Sequence, residues 1–296
     1  HIPPPATPPV SGIVLSGSEG PHLISHDSEN PSHGRAGVIL CFAGNAMSHR
    51  DQHTAHILGL RVNALKTDDF ISLVTETYAG HPAPLFITYL NAHCVNLYFQ
   101  DPEYARIVDG ADVVYADGQA VVWASRYLGE PLPERVNAGD FLPEFCRACA
   151  REGRSVYLLG SYPGVAEKAA RAMEQKAPGL KVAGFRDGFF STDEADTVAR
   201  EVRDTNPDIV LVGMGVPLQE KFAWEHCQDF GAGAVWCVGA LFEYYAGRTA
   251  RAPVWMRRTG LEWLFRLIME PCRMWRRYLI GNVRFIRRVI RSRKTK

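Results

Sequence analysis

The chain has 296 residues, of which 46% are hydrophobic and 22% charged, enough apolar material for a domain-sized core and too much for a wholly disordered chain. Its net charge of +1 hides an asymmetry: from Arg251 onward twelve Arg and two Lys stand against two Glu, so the tail carries +12 and the first 250 residues −11. No run of 18 apolar residues occurs, so no membrane-spanning helix is expected, and an acidic body with a basic tail points to nucleic acid or an anionic membrane surface as partner.

Residues 1–36 are rich in Pro, Ser, Gly and His and are expected to form a disordered extension. Residues 37–255 read as an α/β core. Within it Gly37 to Gly44 is a candidate strand, and a structured domain is expected from Arg61. Thr67-Asp68-Asp69 forms a helix start ahead of Phe70 and Leu73. One pattern then recurs: an apolar run ends in glycine or a small polar residue, and a helical pattern follows. Leu85 to Tyr89 leads into Asn91 and a helix-like stretch to Val108. Asp112 to Tyr115 leads into Asp117-Gly118, and Val156 to Leu159 into Gly160 to Gly164 and a helix Val165 to Lys176. Ile209 to Val212 leads into Gly213 to Pro217 and a helix near Gln219, and Val235 to Val238 into Gly239-Ala240. Alternating buried strands and helices predict βα units and a mostly parallel sheet, with ligands beyond the carboxyl ends of its strands.

Residues 256–296 carry no strand signal, and Pro271 divides them into two helices. Arg266, Arg273, Arg277, Arg284 and Arg288 are each followed two residues later by Ile268, Trp275, Leu279, Ile286 or Ile290. Two helical residues span about 200°, so basic and apolar stripes face nearly opposite ways. The aromatic and aliphatic content of this appendage favours an anionic membrane surface over nucleic acid.

The seven cysteines are odd in number and irregularly spaced, as expected of reduced thiols; Cys146 and Cys149 read as two small residues on a helix. The glycine loops match neither a dinucleotide fingerprint nor a P-loop, which leaves a diphosphate bound by loop amides open beside plain tight turns. Asp117 follows an apolar strand and so faces the ligand crevice. There a carboxylate can take the proton of an attacking hydroxyl, although an Asp before Gly equally serves as a cap or turn residue. No Asp-x-Asp occurs and no metal is expected, so arginines and helix ends must neutralise a departing diphosphate.

Together, residues 61–290 resemble the WecG/TagA/CpsF glycosyltransferases, family 26. The resemblance runs through Thr88-Tyr89-Leu90-Asn91, Ala111 to Gly118, Arg135-Val136-Asn137-Ala138-Gly139-Asp140-Phe141 and Tyr157 to Ser161. It continues in Gly188-Phe189-Phe190, Asn206-Pro207-Asp208, Gly213 to Glu220, Val238-Gly239-Ala240, Ala246-Gly247-Arg248, Arg251-Ala252-Pro253 and Gly260 to Trp263 through Glu270-Pro271. It implies a Rossmann-like core and an inverting, metal-independent transferase without cofactor. The donor is a UDP-sugar of N-acetylmannosamine or glucose type, and the acceptor an undecaprenyl-diphosphate-linked saccharide of surface-polysaccharide synthesis. The enzyme would sit peripherally on the cytoplasmic face of the inner membrane, with no nucleic acid partner and its oligomeric state open.

The same resemblance implies Asp117 as general base. Asn91, Arg135, Gln219, Phe189 and Glu243 fall in the donor pocket, and Arg266, Arg273 and Arg276 hold a donor or acceptor diphosphate. Thr88 departs from the pattern, standing three residues before Asn91 with Tyr89 in the nearer place; it is carried as a substrate-binding candidate. The competing readings are a non-catalytic polybasic membrane adaptor and a nucleotide-dependent oxidoreductase on a Rossmann-type sheet.

Overall fold

A computed structural model describes residues 54–76 and 83–295; the extension 1–36 and the strand Gly37 to Gly44 lie outside the described residues. Thr54–Ile57 (β1) and Leu60–Asn63 (β2) form an antiparallel hairpin turned by Leu58 and Gly59, both at positive φ. The sequence reading, which began the domain at Arg61, had no strand here. Four-residue strands leave too short an alternation to recognise. Thr67–Glu76 (α1) starts as expected, with Asp68 and Asp69 against the positive end of the helix and Phe70 and Val74 buried.

Leu85–Leu90 (β3) is buried at every position. The helix-like stretch behind it is two helices, Ala92–Tyr98 (α2) and Pro102–Gly110 (α3), because Pro102 cannot continue α2 and Asp101 caps α3 through the backbone N–H groups of Glu103 and Tyr104. Val113–Ala116 (β4), Gln119–Leu128 (α4), Ala138–Arg151 (α5), Ser155–Gly160 (β5), Val165–Lys176 (α6) and Lys181–Arg186 (β6) follow. A 3₁₀ turn at Thr192–Glu194 leads into Ala195–Asp204 (α7), Ile209–Gly213 (β7), Leu218–Glu225 (α8), Ala234–Cys237 (β8) and Leu241–Tyr245 (α9).

Six strands make one all-parallel sheet in the order β4-β3-β8-β7-β5-β6. The fully buried β3, β4, β7 and β8 are the near-continuous apolar runs that a sheet covered on both faces requires. β6, with Lys181 and Arg186 at its ends and only β5 beside it, was not anticipated: an edge strand is half solvated and lacks the apolar run. At the opposite edge Asn63 of the hairpin accepts from the backbone N–H of Val114 at 2.9 Å, so β4 is not left open. The carboxyl ends of the strands crowd together. A Cβ on Gly160, at φ +129, would stand 2.5 Å from the backbone of Gly213, so these two loops approach more closely than any side chain permits.

The tail continues as Val254–Arg258 (α10), Glu262–Met269 (α11), Pro271–Trp275 (α12), a π-helical turn at Arg276–Ile280 and Gly281–Thr295 (α13). Pro271 stands at the start of α12, where its missing N–H costs nothing. The tail lies against the core: α13 packs on α2 and α4 and buries Phe285 and Val289, and Asn96 of α2 donates to the Gly281 carbonyl at 2.7 Å. Each of those two apolar side chains is worth about 1.5–3 kcal/mol of burial. The expected apolar stripe, Ile268, Trp275, Leu279, Ile286 and Ile290, is exposed along its length. Of its opposing basic set, Arg266, Arg277 and Arg288 turn to the core and are half-buried. No helix among the described residues is long and apolar enough to cross a membrane.

Candidate active site

Asp117 leaves the carboxyl end of β4 into the gap before α4. Its backbone N–H and that of Gly118 both donate to the Leu90 carbonyl, at 3.0 and 3.2 Å, so the end of β3 holds the Asp-Gly pair in place. A Cβ on Gly118 would meet the Asn91 Cβ at 2.7 Å; glycine lets the two strand ends close up. Burial pushes the half-buried Asp117 carboxyl up to about 6; Arg135 opposes this, Glu262 adds to it, and Arg266 and Arg277 oppose it. Asn137 donates through Nδ2 to Asp117 Oδ1 at 2.8 Å.

Around this carboxylate is a charge cluster that spacing alone did not reveal. Asp140 receives Arg135 at 2.6 Å, Arg251 at 2.9 Å and also Arg257. Arg135 additionally pairs with Glu262 of α11 at 3.1 Å, tying the tail to the core. Arg251 further donates to Asn137 Oδ1 at 3.2 Å and to the Gly139 carbonyl at 2.5 Å. Asn137, Asp140 and Arg251 lie in segments quoted for the resemblance, but their meeting spans 111 residues of sequence between Asp140 and Arg251. No local pattern reports a contact over that distance.

The three tail arginines expected to act together are divided. Arg266 sits 5.8 Å from the Tyr244 ring; burial works against its charge, but Tyr244, Tyr278, Glu270 and Glu262 hold it above its ordinary range. It is on the Asp117 side. Arg273 and Arg276 instead line a cavity of about 380 Å³ between α2 and the tail, with His93, Asn96, Gln100, Arg277 and Arg284. Arg273 pairs with Glu270 at 2.8 Å. Arg276, Arg277 and Arg284 have no carboxylate partner among the described residues, and Arg277 Nε is enclosed without a hydrogen bond. Burial first and Arg277 second lower His93 to about 4, so its imidazole is neutral at pH 7. Arg277, which the sequence reading used only as a stripe position, acts electrostatically on both Asp117 and His93. It stands on a π turn, a rare local geometry that recurs at functional sites.

The other expected donor-pocket residues occupy three settings. The Asn91 carboxamide oxygen caps α2, accepting from the N–H groups of His93 and Cys94 at 2.9 and 3.1 Å. Thr88 and Gln219 are fully buried. Gln219 Oε1 accepts from the N–H of Gly239 at 2.9 Å and of Gly215 at 3.3 Å, bracing the loops after β8 and β7; its amide donates to Glu220, which also accepts from Thr88 at 3.2 Å. Burial lifts Glu220 to about 7, against the hydrogen bonds of Gln219, its own backbone and Thr88. These residues brace the loops after β7 and β8 from within. Phe189, 64% exposed, lies 5.3 Å from Tyr162, and Arg248 covers the Tyr162 ring at 3.9 Å. Glu243 accepts from Thr249 Oγ1 at 3.1 Å. Among the described residues no three His, Cys, Asp or Glu side chains converge as metal ligands.

A parallel α/β sheet with a carboxylate and arginines at its carboxyl end suits group transfer on an anionic substrate. The glycosyl transferase WecG/TagA/CpsF family profile matches residues 55–296, and the chain belongs to that family of glycosyltransferases. Among its relatives are the N-acetylglucosaminyldiphosphoundecaprenol N-acetyl-beta-D-mannosaminyltransferases of Bacillus subtilis strain 168 and Staphylococcus aureus strain MW2. The first is 29% identical over 71% of this chain and 81% of the relative. The second is 31% identical over 68% and 76%. The enzyme of Bacillus spizizenii strain W23 is 30% identical over 71% and 80%. Family membership removes both competing readings, the adaptor and the oxidoreductase.

Proposed function

We propose that the enzyme transfers an N-acetylmannosamine-type sugar from a UDP-sugar to an N-acetylglucosaminyl-diphosphate polyprenol, with inversion and without a metal ion, at the cytoplasmic face of the membrane. The carrying observation is that Asp117, half-buried at the end of β4, lies under the electrostatic reach of Arg266 and Arg277 from the tail. In a single displacement the Asp117 carboxylate takes the proton of the acceptor hydroxyl, that oxygen attacks the anomeric carbon, and UDP leaves. Three carboxylates, Asp117, Asp140 and Glu262, stand among five guanidinium groups, Arg135, Arg251, Arg257, Arg266 and Arg277. The positive surplus suits a departing diphosphate.

The cavity lined by Arg273, Arg276, Arg277 and Arg284 suits the diphosphate of the lipid-linked acceptor, since most of its guanidinium groups have no carboxylate partner among the described residues. The exposed stripe of Trp275, Leu279, Ile286 and Ile290 suits the adjoining lipid surface. The acceptor is the substrate class in the names of the relatives; the glucose-type donor is the alternative. The test is a panel of UDP-sugars with a synthetic lipid-diphosphate N-acetylglucosamine. Asp117→Asn is expected to abolish transfer while still binding UDP, and near-native turnover by that variant would remove Asp117 from the base role.

A further inference from the structure

Asn137 occupies the N-cap position of α5, where an Asn side chain ordinarily accepts a backbone N–H of the first helical turn, yet it makes no such bond. Its amide is turned elsewhere and is used at both ends. Nδ2 donates to Asp117 Oδ1 at 2.8 Å, and Oδ1 accepts Arg251 at 3.2 Å. Because a guanidinium can only donate, Arg251 fixes which way round the amide stands: oxygen toward Arg251, NH₂ toward Asp117. Arg251 is itself held at two further points, the Gly139 carbonyl and Asp140. Room for it comes from Gly139, where a Cβ would stand 2.9 Å from the nearer guanidinium nitrogen.

Among the described residues only one oxygen of Asp117 has a side-chain partner. Oδ2 takes no hydrogen bond from the described residues and is not among the enclosed unpaired polar atoms. We propose that Asn137 and Arg251 are positioning residues, holding the Asp117 carboxylate by one oxygen so that the other is presented to the acceptor hydroxyl. A cap bond is given up and a guanidinium anchored at three points, all to orient one amide. That departure from local preference is the signature of a side chain recruited for a site.

This inference rests on the base role proposed for Asp117, and its consequence is a defined basicity. A hydrogen bond to the charged form favours that form, so Asn137 restrains the rise that burial imposes on Asp117. The other groups acting on the carboxylate are Arg135, Glu262, Arg266 and Arg277. Tyr89, Tyr115 and Tyr244 are also within its electrostatic reach, and all three are held protonated by burial far above neutral pH.

The test follows the Asp117 carboxyl by ¹³C NMR titration, its resonance assigned by its loss in Asp117→Asn, beside the pH profiles of kcat and of the donor KM. Asn137→Ala is expected to move the Asp117 midpoint up by about one pH unit, which by itself lowers kcat at pH 7 about twofold, and to lower the alkaline plateau of kcat about fivefold through lost orientation, with donor KM and UDP affinity unchanged. Asn137→Leu keeps the branched shape but removes the amide donor; a packing role predicts no change, a positioning role the same upward move as in Asn137→Ala. Gly139→Ala crowds the Arg251 guanidinium at 2.9 Å and the Asn137 amide oxygen at 3.2 Å, disturbing both members of the pair, and is expected to move the midpoint the same way by a smaller amount. If the alanine variant at 137 does not fold, Gly139→Ala carries the test. An unmoved Asp117 titration in folded Asn137→Leu and Gly139→Ala overturns the proposal. Turnover retained by Asp117→Asn would instead refute the base role, leaving the titration to judge the relay by itself.

Discussion

Replacing Asp117 by Asn is expected to stabilise the protein while destroying its activity. A carboxyl whose folded pKa lies above its unfolded value favours the protonated form on folding. The cost of keeping it charged is absent below about pH 4, grows between about 4 and 6, and is constant above. For Asp117 the rise is from 3.8 to about 6. At about 1.4 kcal/mol per pH unit this amounts to about 3 kcal/mol, and solvent access to Oδ2 reduces it to about 1–2 kcal/mol. Asn137 can still donate to an Asn at 117, so little is lost in exchange. At about 2–4 °C per kcal/mol for a domain of this size, Asp117→Asn should melt about 2–8 °C higher than wild type at pH 8 and within a degree or two of it at pH 4. Calorimetric melts at the two pH values measure it, and the pH–rate profile is the companion measurement. Wild-type turnover should fall about tenfold per pH unit below about 6, the base being ineffective once protonated. A melting difference independent of pH, or an acid limb near 4, would refute the reasoning.

Gln219→Ala should strip the Gly215 and Gly239 N–H groups of their shared acceptor in a sealed interior and destabilise the fold by about 2–4 kcal/mol, read by urea unfolding. Arg277→Met should leave the melting temperature near that of wild type and raise the KM for the lipid-diphosphate acceptor about tenfold or more, with the donor KM moving less; a donor-specific defect would assign the cavity differently. Glu substituted at Trp275, Leu279 and Ile286, all exposed, should preserve the fold and reduce sedimentation with anionic vesicles by more than tenfold; undiminished binding would mean that the stripe does not meet lipid.

Much of the core could be read from the chain because its signals are local. β3, β4, β5, β7 and β8 are runs of apolar residues buried on both faces, each closed by a glycine or small polar residue, so their existence, direction and shared ligand edge followed without any knowledge of contacts. β6 and the hairpin were illegible for the converse reason: edge and four-residue strands satisfy their burial through neighbours that the local pattern does not name. The opposition of arginines and apolar residues in the tail also followed from helical geometry. What the geometry could not say was that Phe285 and Val289 form a second apolar face, against α2 and α4, which leaves the first one exposed.

For the site, the position of Asp117 after a strand was legible, but its environment was decided in three dimensions. Asp140, Arg251, Arg257, Asn137 and Glu262 converge from segments more than a hundred residues apart, and charge pairing at that separation leaves no periodicity. The tertiary structure likewise sorted side chains that a motif treats alike: Gln219 and Thr88 went inside to brace backbone loops, while Arg266 was parted from Arg273 and Arg276 by the turn at Pro271. Strand, turn and helix preferences act between residues a few places apart and are written in order along the chain; burial, pairing and the basicity of a carboxylate depend on distance in space, which only the folded arrangement of the sheet and its tail supplies.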